Sequence, residues 1–144
     1  MNELDRLLAE QACQTLVSRY FRLINPLNLD GVVSLFADDG EIVRGGQNPL
    51  HLKGRAAIRG YLDAPHDDFK IYAGINSLVE VIDADTAQGS CQALVIEAGK
   101  HGAEAVPRGR LLRVLWYADV FRKIDGGWRI ARREVGRLAD NSDD

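Results

Sequence analysis

The sequence predicts an α+β domain in which helices cover one face of a curled antiparallel sheet. Apolar residues recur with helical spacing over residues 2–24 and alternate with the period of a strand between residues 69 and 135. A tight turn at Asp125-Gly126-Gly127 joins the last two strand patterns into a hairpin. Because helical patterns come first and strand patterns last, we expect a long helix lying across the sheet and enclosing a cone-shaped cavity.

The first helix is predicted over residues 2–24. Asn2 is a suitable N-cap, and Asn25-Pro26 ends the helix because the residue before proline avoids the helical region. The apolar stripe of this helix begins with Leu4, Leu7 and Leu8, which we expect in the core.

Two short helices and a short strand complete the first half of the chain. The helices are predicted at residues 29–36 and 54–62, and the strand at residues 41–46. No other strand is predicted before residue 69.

Four long antiparallel strands follow. Residues 69–82 and 86–98 form the first two, and the hairpin strands begin at Leu111 and end at Val135. Strict alternation places Tyr72 and Asn76 on one face of the first strand. On the third strand it places on one face Leu111, Arg113, Leu115, Tyr117, Asp119 and Phe121. A polar group on that face needs a partner or a ligand if the face is buried.

Composition limits the classes of function. The 144 residues predict one domain at residues 1–138, followed by a flexible acidic tail at residues 139–144. A net charge of -3 gives no support for nucleic-acid binding, and no apolar run reaches the roughly 18–20 residues of a membrane span. The two cysteines are expected to be buried and reduced in a cytoplasmic protein.

Neither a metal nor a cofactor is expected. His51, His66 and His101 have no ligand spacing with another histidine, a cysteine or paired acids. An alternative for His101 is that the loop at residues 99–107 carries it over the mouth of the cavity as a base. Asp119 is expected to form a buried structural ion pair with Arg132 or Arg133.

Several segments, in this order and spacing, resemble the SnoaL-like branch of the nuclear-transport-factor-2-like (NTF2-like) superfamily, which has a cystatin-like fold. They are Tyr20-Phe21, Leu35-Phe36-Ala37-Asp38-Asp39-Gly40, Gly54-Arg55-Ala56-Ala57-Ile58, Asn76, Tyr117-x-Asp119-x-Phe121, Asp125-Gly126-Gly127-Trp128-Arg129-Ile130 and Arg132-Arg133. The resemblance covers roughly residues 4–137 and is nearest to the scytalone-dehydratase-like and dehydrochlorinase-like branch. It implies the fold more strongly than any one activity, because one fold hosts many functions.

The resemblance also implies where an acid–base pair would lie, and this sequence departs from it. Enzymes of that branch use a His–Asp pair as general base, often with a tyrosine. The tyrosine is kept as Tyr20, whereas Asn25 stands at the aspartate position and Tyr72 at the histidine position. Asparagine carries no charge, and tyrosine with a pKa near ~10 is a poor base.

The resulting hypothesis is a cofactor-independent lyase, isomerase or cyclase acting on a hydrophobic oxygenated molecule. Its catalytic residues would be Tyr20, Asn25 and Tyr72, and its substrate-binding residues Asn76, Tyr117 and Arg133. Arg133 would be the one charged group in an otherwise neutral pocket. The alternatives are a non-catalytic binding module or partner subunit that has lost the acid–base pair, and the small subunit of a ring-hydroxylating dioxygenase.

The opposite face of the sheet is predicted to be an interface. It carries Leu112, Val114, Trp116 and Val120, while the helices cover only the concave side. Because a broad apolar face marks an interface, we expect a homodimer formed through this face.

Overall fold

The computed structural model of the protein describes residues 1–64, 69–98 and 109–142. Its helices and strands are α1 (Glu3–Ile24), α2 (Leu29–Ser34), β1 (Phe36–Arg44), β2 (Leu50–Lys53), α3 (Arg55–Leu62), β3 (Phe69–Val81), β4 (Thr86–Ala98), β5 (Gly109–Ile124) and β6 (Gly127–Asp140). The strands form one curled, open sheet with the order β2-β1-β6-β5-β4-β3. The α+β prediction is confirmed.

The sheet contains more strands than the sequence predicts. Strands β3 to β6 are antiparallel, as expected, but β1 is longer than predicted and pairs in parallel with β6. Strand β2 was not predicted, and it pairs with β1 through Leu50–Lys53. Helix α2 ends at Ser34, two residues earlier than predicted, because β1 begins at Phe36. None of the helices in the described ranges combines the length and apolar character that crossing a membrane requires.

Helix α1 begins as predicted but buries less of its first turns. The Asn2 side chain accepts a hydrogen bond from the Asp5 backbone N–H at 2.8 Å, which caps the helix. Leu4, Leu7 and Leu8 are exposed, and the buried stripe starts at Ala9. The prediction for the three leucines is therefore wrong. The start of α1 lies beside the β5–β6 turn, at the end of the sheet, where none of the described residues covers these leucines.

The hairpin turn has the predicted geometry. Asp125 and Gly126 have φ values of 52° and 81°, and Ile124 pairs with Gly127. Positive φ at both central residues is the requirement of a type I′ turn, whose twist matches that of the flanking strands.

A β-bulge in β3 overturns the prediction that Asn76 faces the cavity. Ile75 pairs with Gln92 and Leu78 with Ser90, so two residues of β3 lie opposite one residue of β4. Asn76 has a φ of 54° and donates a hydrogen bond to Gln92 Oε1 at 2.9 Å on the outer face. After the bulge the alternation is reversed, and Leu78 is 73% exposed.

A second bulge and the end of β6 change two other boundaries. Val95 pairs with Arg113 and Ile96 with Leu111, so Leu112 of β5 has no partner on β4. Leu112 is consequently buried and Leu111 exposed, the reverse of strict alternation. At the chain's end, β6 continues to Asp140, and the Asn141 N–H donates to the Leu112 carbonyl at 2.6 Å. Residues 139–141, expected in the tail, are therefore bound to the sheet.

Candidate functional site

A cavity of about 140 Å³ lies between the concave face of the sheet and helices α1 and α3. It is lined by Tyr20, Ile24, Ile42, Arg44, Leu50, Tyr61, Leu62, Tyr72, Arg113, Leu115, Tyr117, Arg133, Val135, Gly136 and Arg137. The described lining includes all four tyrosines of the chain and four arginines, and it contains no aspartate or glutamate. The structure therefore brings four of the predicted residues, Tyr20, Tyr72, Tyr117 and Arg133, to one cavity. The expectation of a pocket with a single charged group is wrong.

Helix α1 closes on the sheet through a glycine. A Cβ atom at Gly74 would lie 2.4 Å from the ring of Phe21, so only glycine allows the helix to come this close to β3. The contact fixes the end of α1 that carries Tyr20 over the concave face of β5 and β6.

The deep end of the cavity is an arginine held between two phenols. Tyr20 and Tyr117 are both buried, with ring centroids 6.4 Å apart. The guanidinium carbon of Arg133 lies 4.1 Å from the centroid of Tyr20 and 4.0 Å from that of Tyr117. Such cation–π contacts are strong when they are removed from water.

Arg133 also forms the buried ion pair expected for Asp119. Its Nε atom lies 3.1 Å from Asp119 Oδ1, and both side chains are 1% exposed. Burial raises the pKa of Asp119, and the guanidinium opposes that shift. Burial lowers the pKa of Arg133, but the charge of Asp119 outweighs this effect, and the pKa is raised, so the guanidinium stays charged. Arg132 instead contacts Glu134.

The ion pair leaves hydrogen-bonding capacity unused. Arg133 Nη2 donates to Cys91 Sγ at 3.5 Å, whereas Nη1 has no partner among the described residues. Neither oxygen of Asp119 accepts a hydrogen bond of good geometry there. A buried donor without a partner is costly, and its presence at a cavity wall is the arrangement expected of a ligand site.

The phenols act as donors rather than bases. Burial raises the pKa of Tyr20 and Tyr72, and raises that of Tyr117 well above its usual value. All three hydroxyls therefore carry their protons at neutral pH and can donate hydrogen bonds to a ligand.

Asn25 has a structural position. Its Nδ2 donates to the carbonyls of Phe21 and Tyr72, and its Oδ1 accepts from the Tyr72 N–H at 3.0 Å. The amide thus ties the end of α1 to the edge of β3, and it does not line the cavity. The structure therefore joins Asn25 to the main chain of Tyr72 and leaves its side chain outside the cavity that Tyr20 and Tyr72 line.

The outer end of the cavity contains residues that the sequence did not assign. Tyr61 on α3 is partly exposed and accepts a hydrogen bond from Arg44 at 3.4 Å. Arg113 lies on the same face as Tyr117, as the alternation of β5 indicated, but no role was assigned to it. Tyr61 and Arg44 gave no signal, because they reach the cavity only through the packing of α3 and the parallel pairing of β1 with β6.

The histidine within the described residues lies away from this cavity. His51 is on β2, and its Nε2 is 2.7 Å from Glu41 Oε1. His66 and His101, with the loop at residues 99–107, lie outside the described residues. No cluster of three or more potential metal-ligating side chains occurs in the part of the chain that is described.

Comparison with known proteins identifies the family. Residues 5–134 match the SnoaL-like domain family, whereas no curated protein matches the chain. An NTF2-like protein with a cystatin-like fold from Novosphingobium aromaticivorans is 28% identical, with a TM-score of 0.79, covering 96% of this chain and 87% of that one. A protein of unknown function from Mycobacterium tuberculosis is 30% identical, with a TM-score of 0.79, covering 99% and 80%. A hexachlorocyclohexane dehydrochlorinase from Novosphingobium barchaimii shares the fold at 21% identity, with a TM-score of 0.79, covering 97% and 93%. The chain therefore belongs to the SnoaL-like domain family and has the NTF2-like fold.

Proposed function

We propose that the chain is a cofactor-independent enzyme of the lyase or isomerase type, acting on a small hydrophobic oxygenated substrate in this cavity. The observation that carries the proposal is the guanidinium of Arg133, which is 1% exposed, lines the cavity and has an unused donor at Nη1. A preorganised cation in a site with little water stabilises developing negative charge far more than it would in water. The similarity of the fold to a dehydrochlorinase supports an elimination or a related reaction.

The proposed chemistry depends on an enolate. The substrate carbonyl oxygen accepts hydrogen bonds from Arg133 and Tyr20. A C–H bond beside the carbonyl breaks, its proton passes to water, and the electron pair moves onto the oxygen. The enolate then either expels a leaving group from the β carbon, which completes an elimination, or takes a proton at another carbon, which completes an isomerisation. The protein lowers the energy of the enolate, and its tyrosines do not have to act as bases.

The test is turnover of a panel of cyclic β-hydroxy ketones, followed by mass spectrometry. Replacing Tyr20→Phe removes one donor at the deep end and is expected to lower kcat by roughly 10²-fold. His51→Gln, which alters a histidine outside the cavity, is the control and should leave kcat unchanged. Wild-type turnover by the Tyr20→Phe variant would refute the assignment of the deep end as the reaction site.

A non-catalytic binding module is the second candidate function. It is favoured because the described residues that line the cavity include no aspartate, glutamate or histidine. It is also favoured by the position of Asn25, whose amide is occupied by main-chain groups. Under this alternative the same ketones bind and raise the thermal unfolding temperature, but mass spectrometry finds no product. Tyr20→Phe would then weaken binding of the ketones, and neither the variant nor the wild type would form product.

A further inference from the structure

We infer that the substrate is a monocyclic acid whose carboxylate binds Arg113 at the outer end of the cavity, while its ring extends towards Arg133. This inference deepens the proposed function, and it rests on that proposal only in calling the ligand a substrate. The site itself is assigned from the charges, hydrogen bonds and size of the cavity.

The charges of the cavity are unequally compensated. Of its four arginines, Arg133 contacts Asp119 and Arg137 contacts Asp140, with Nη1 2.7 Å from Oδ2. Among the described residues, Arg44 donates hydrogen bonds only to neutral groups, the Asn48 carbonyl at 2.9 Å and the Tyr61 hydroxyl. Within that part of the chain, the deep end is thus a neutral ion pair and the excess positive charge lies at the outer end.

Of the arginines at the outer end, Arg113 is the one best placed to bind an anion. Its Nε is buried and has no hydrogen-bond partner among the described residues. Asp140 lies across the strand pair from Arg113, but its carboxylate already forms an ion pair with Arg137 and accepts a hydrogen bond from Ser142. A buried guanidinium N–H without a partner matches the geometry of a carboxylate or another oxyanion.

Tyr72 supplies a second donor beside Arg113. Tyr72 pairs with Val95, and Val95 pairs with Arg113, so the three residues form one row across β3, β4 and β5. Both ends of this row line the cavity. The phenol of Tyr72 is neutral, because burial raises its pKa more than the charge of Arg113 lowers it. An anionic group at this position therefore receives one charged and one neutral hydrogen bond.

The size of the cavity limits the rest of the ligand. A cavity of about 150 Å³ with apolar walls holds one benzene-sized ring, and this one measures about 140 Å³ with walls that include Leu50, Leu62 and Leu115. A single ring fits between the outer arginines and the deep ion pair.

Isothermal titration calorimetry of the full chain with benzoate, benzamide and acetate tests the inference. We expect wild-type protein to bind benzoate at least about tenfold more tightly than benzamide, which lacks the charge, and than acetate, which lacks the ring. Arg113→Gln should reduce the affinity for benzoate to that for benzamide, and Arg113→Lys should retain part of it. Arg110→Gln, which removes an exposed arginine of the same strand that contacts Glu97, is the matched control and should leave the affinity unchanged. Thermal unfolding of each variant verifies that it is folded.

Several results would overturn the inference. These are equal affinity for benzoate and benzamide, equal affinity for benzoate and acetate, no benzoate binding at millimolar concentration, or unchanged benzoate binding by folded Arg113→Gln. The proposed function fails separately. Turnover of a neutral ketone without benzoate binding would overturn only the inference about the acid. Benzoate binding without turnover of any cyclic keto acid would support the anion site and count against the reaction.

Discussion

Removing Arg133 should destabilise the protein through the charge that it leaves behind. In Arg133→Met the carboxylate of Asp119 would remain 1% exposed with no cation beside it, and its oxygens have no other hydrogen-bond donor among the described residues. Breaking a buried pair in this way costs about 3–5 kcal/mol. The loss of stacking between the guanidinium and two phenols adds to that cost.

A double-mutant cycle separates the charge from the packing. Asp119→Leu combined with Arg133→Met removes both charges, so the double variant should be more stable than Arg133→Met alone, with a coupling energy of about 2–3 kcal/mol. Urea unfolding followed by the fluorescence of the buried Trp128 measures each free energy of unfolding. Arg132→Met is the control at the adjacent residue. It breaks a partly exposed contact with Glu134 and should lower the free energy of unfolding by less than about 1 kcal/mol.

The pH dependence of the free energy of unfolding gives an independent test of the ion pair. In Arg133→Met, burial alone would act on Asp119, so its pKa in the folded state would lie above the unfolded value of about 3.9. The folded state would then bind the proton more readily, and the cost of the substitution should shrink as the pH falls through the folded pKa towards the unfolded one. A cost that stays constant over this range, or a double variant whose cost equals the sum of the single costs, would refute the assignment of a buried ion pair.

Three further predictions follow from single contacts. Gly74→Ala places a methyl group 2.4 Å from the Phe21 ring and should lower the free energy of unfolding in urea by about 1–3 kcal/mol. Gly60→Ala is the control in helix α3, where a new Cβ meets no atom within 4 Å, and it should raise that free energy by about 0.5–1 kcal/mol. Equal effects of the two substitutions would contradict the close helix–sheet contact. Asn25→Asp removes the donor to two carbonyls and should destabilise by about 1–3 kcal/mol, increasingly as the pH rises and the carboxyl ionises; a stable Asn25→Asp variant would show that this amide is not needed. We also expect a homodimer formed through the outer face of the sheet, where Leu78 is 73% exposed in the single chain. Leu78→Asp should halve the mass found by sedimentation and leave the circular dichroism spectrum unchanged. A monomeric wild-type protein would refute the dimer.

The sequence predicted those parts of the fold that local patterns determine. The turn at Asp125-Gly126-Gly127 needs positive φ, and the structure has it at Asp125 and Gly126. The alternation of β5 placed Tyr117, Asp119 and Arg113 on the concave face. These features depend on neighbours in the chain, and strand periodicity is enough to find them.

Predictions failed where one residue changed the register. Asn76 was assigned to the cavity by counting in steps of two from Tyr72, and the bulge between Ile75 and Leu78 reversed the face. Nothing in the residue types distinguishes that bulge from a regular strand except an asparagine that tolerates positive φ. Arg44 and Tyr61 were missed for another reason, because their position depends on which distant strands pair.

The side chain of Asn25 binds the main chain of Tyr72 and does not line the cavity. The amide of Asn25 donates to the Tyr72 carbonyl and accepts from the Tyr72 N–H, so it replaces a missing strand partner at the edge of β3. A carboxylate at residue 25 could accept from the N–H but could not donate to the carbonyl. Asn25 and Tyr72 thus hold the end of α1 against the sheet, and Arg133, the arginine at the deep end of the cavity, lies on β6. Under the proposed function, a reaction in this cavity depends on stabilising an anion at Arg133. Loss of the Tyr20 hydroxyl is therefore expected to lower kcat, whereas loss of His51 is not.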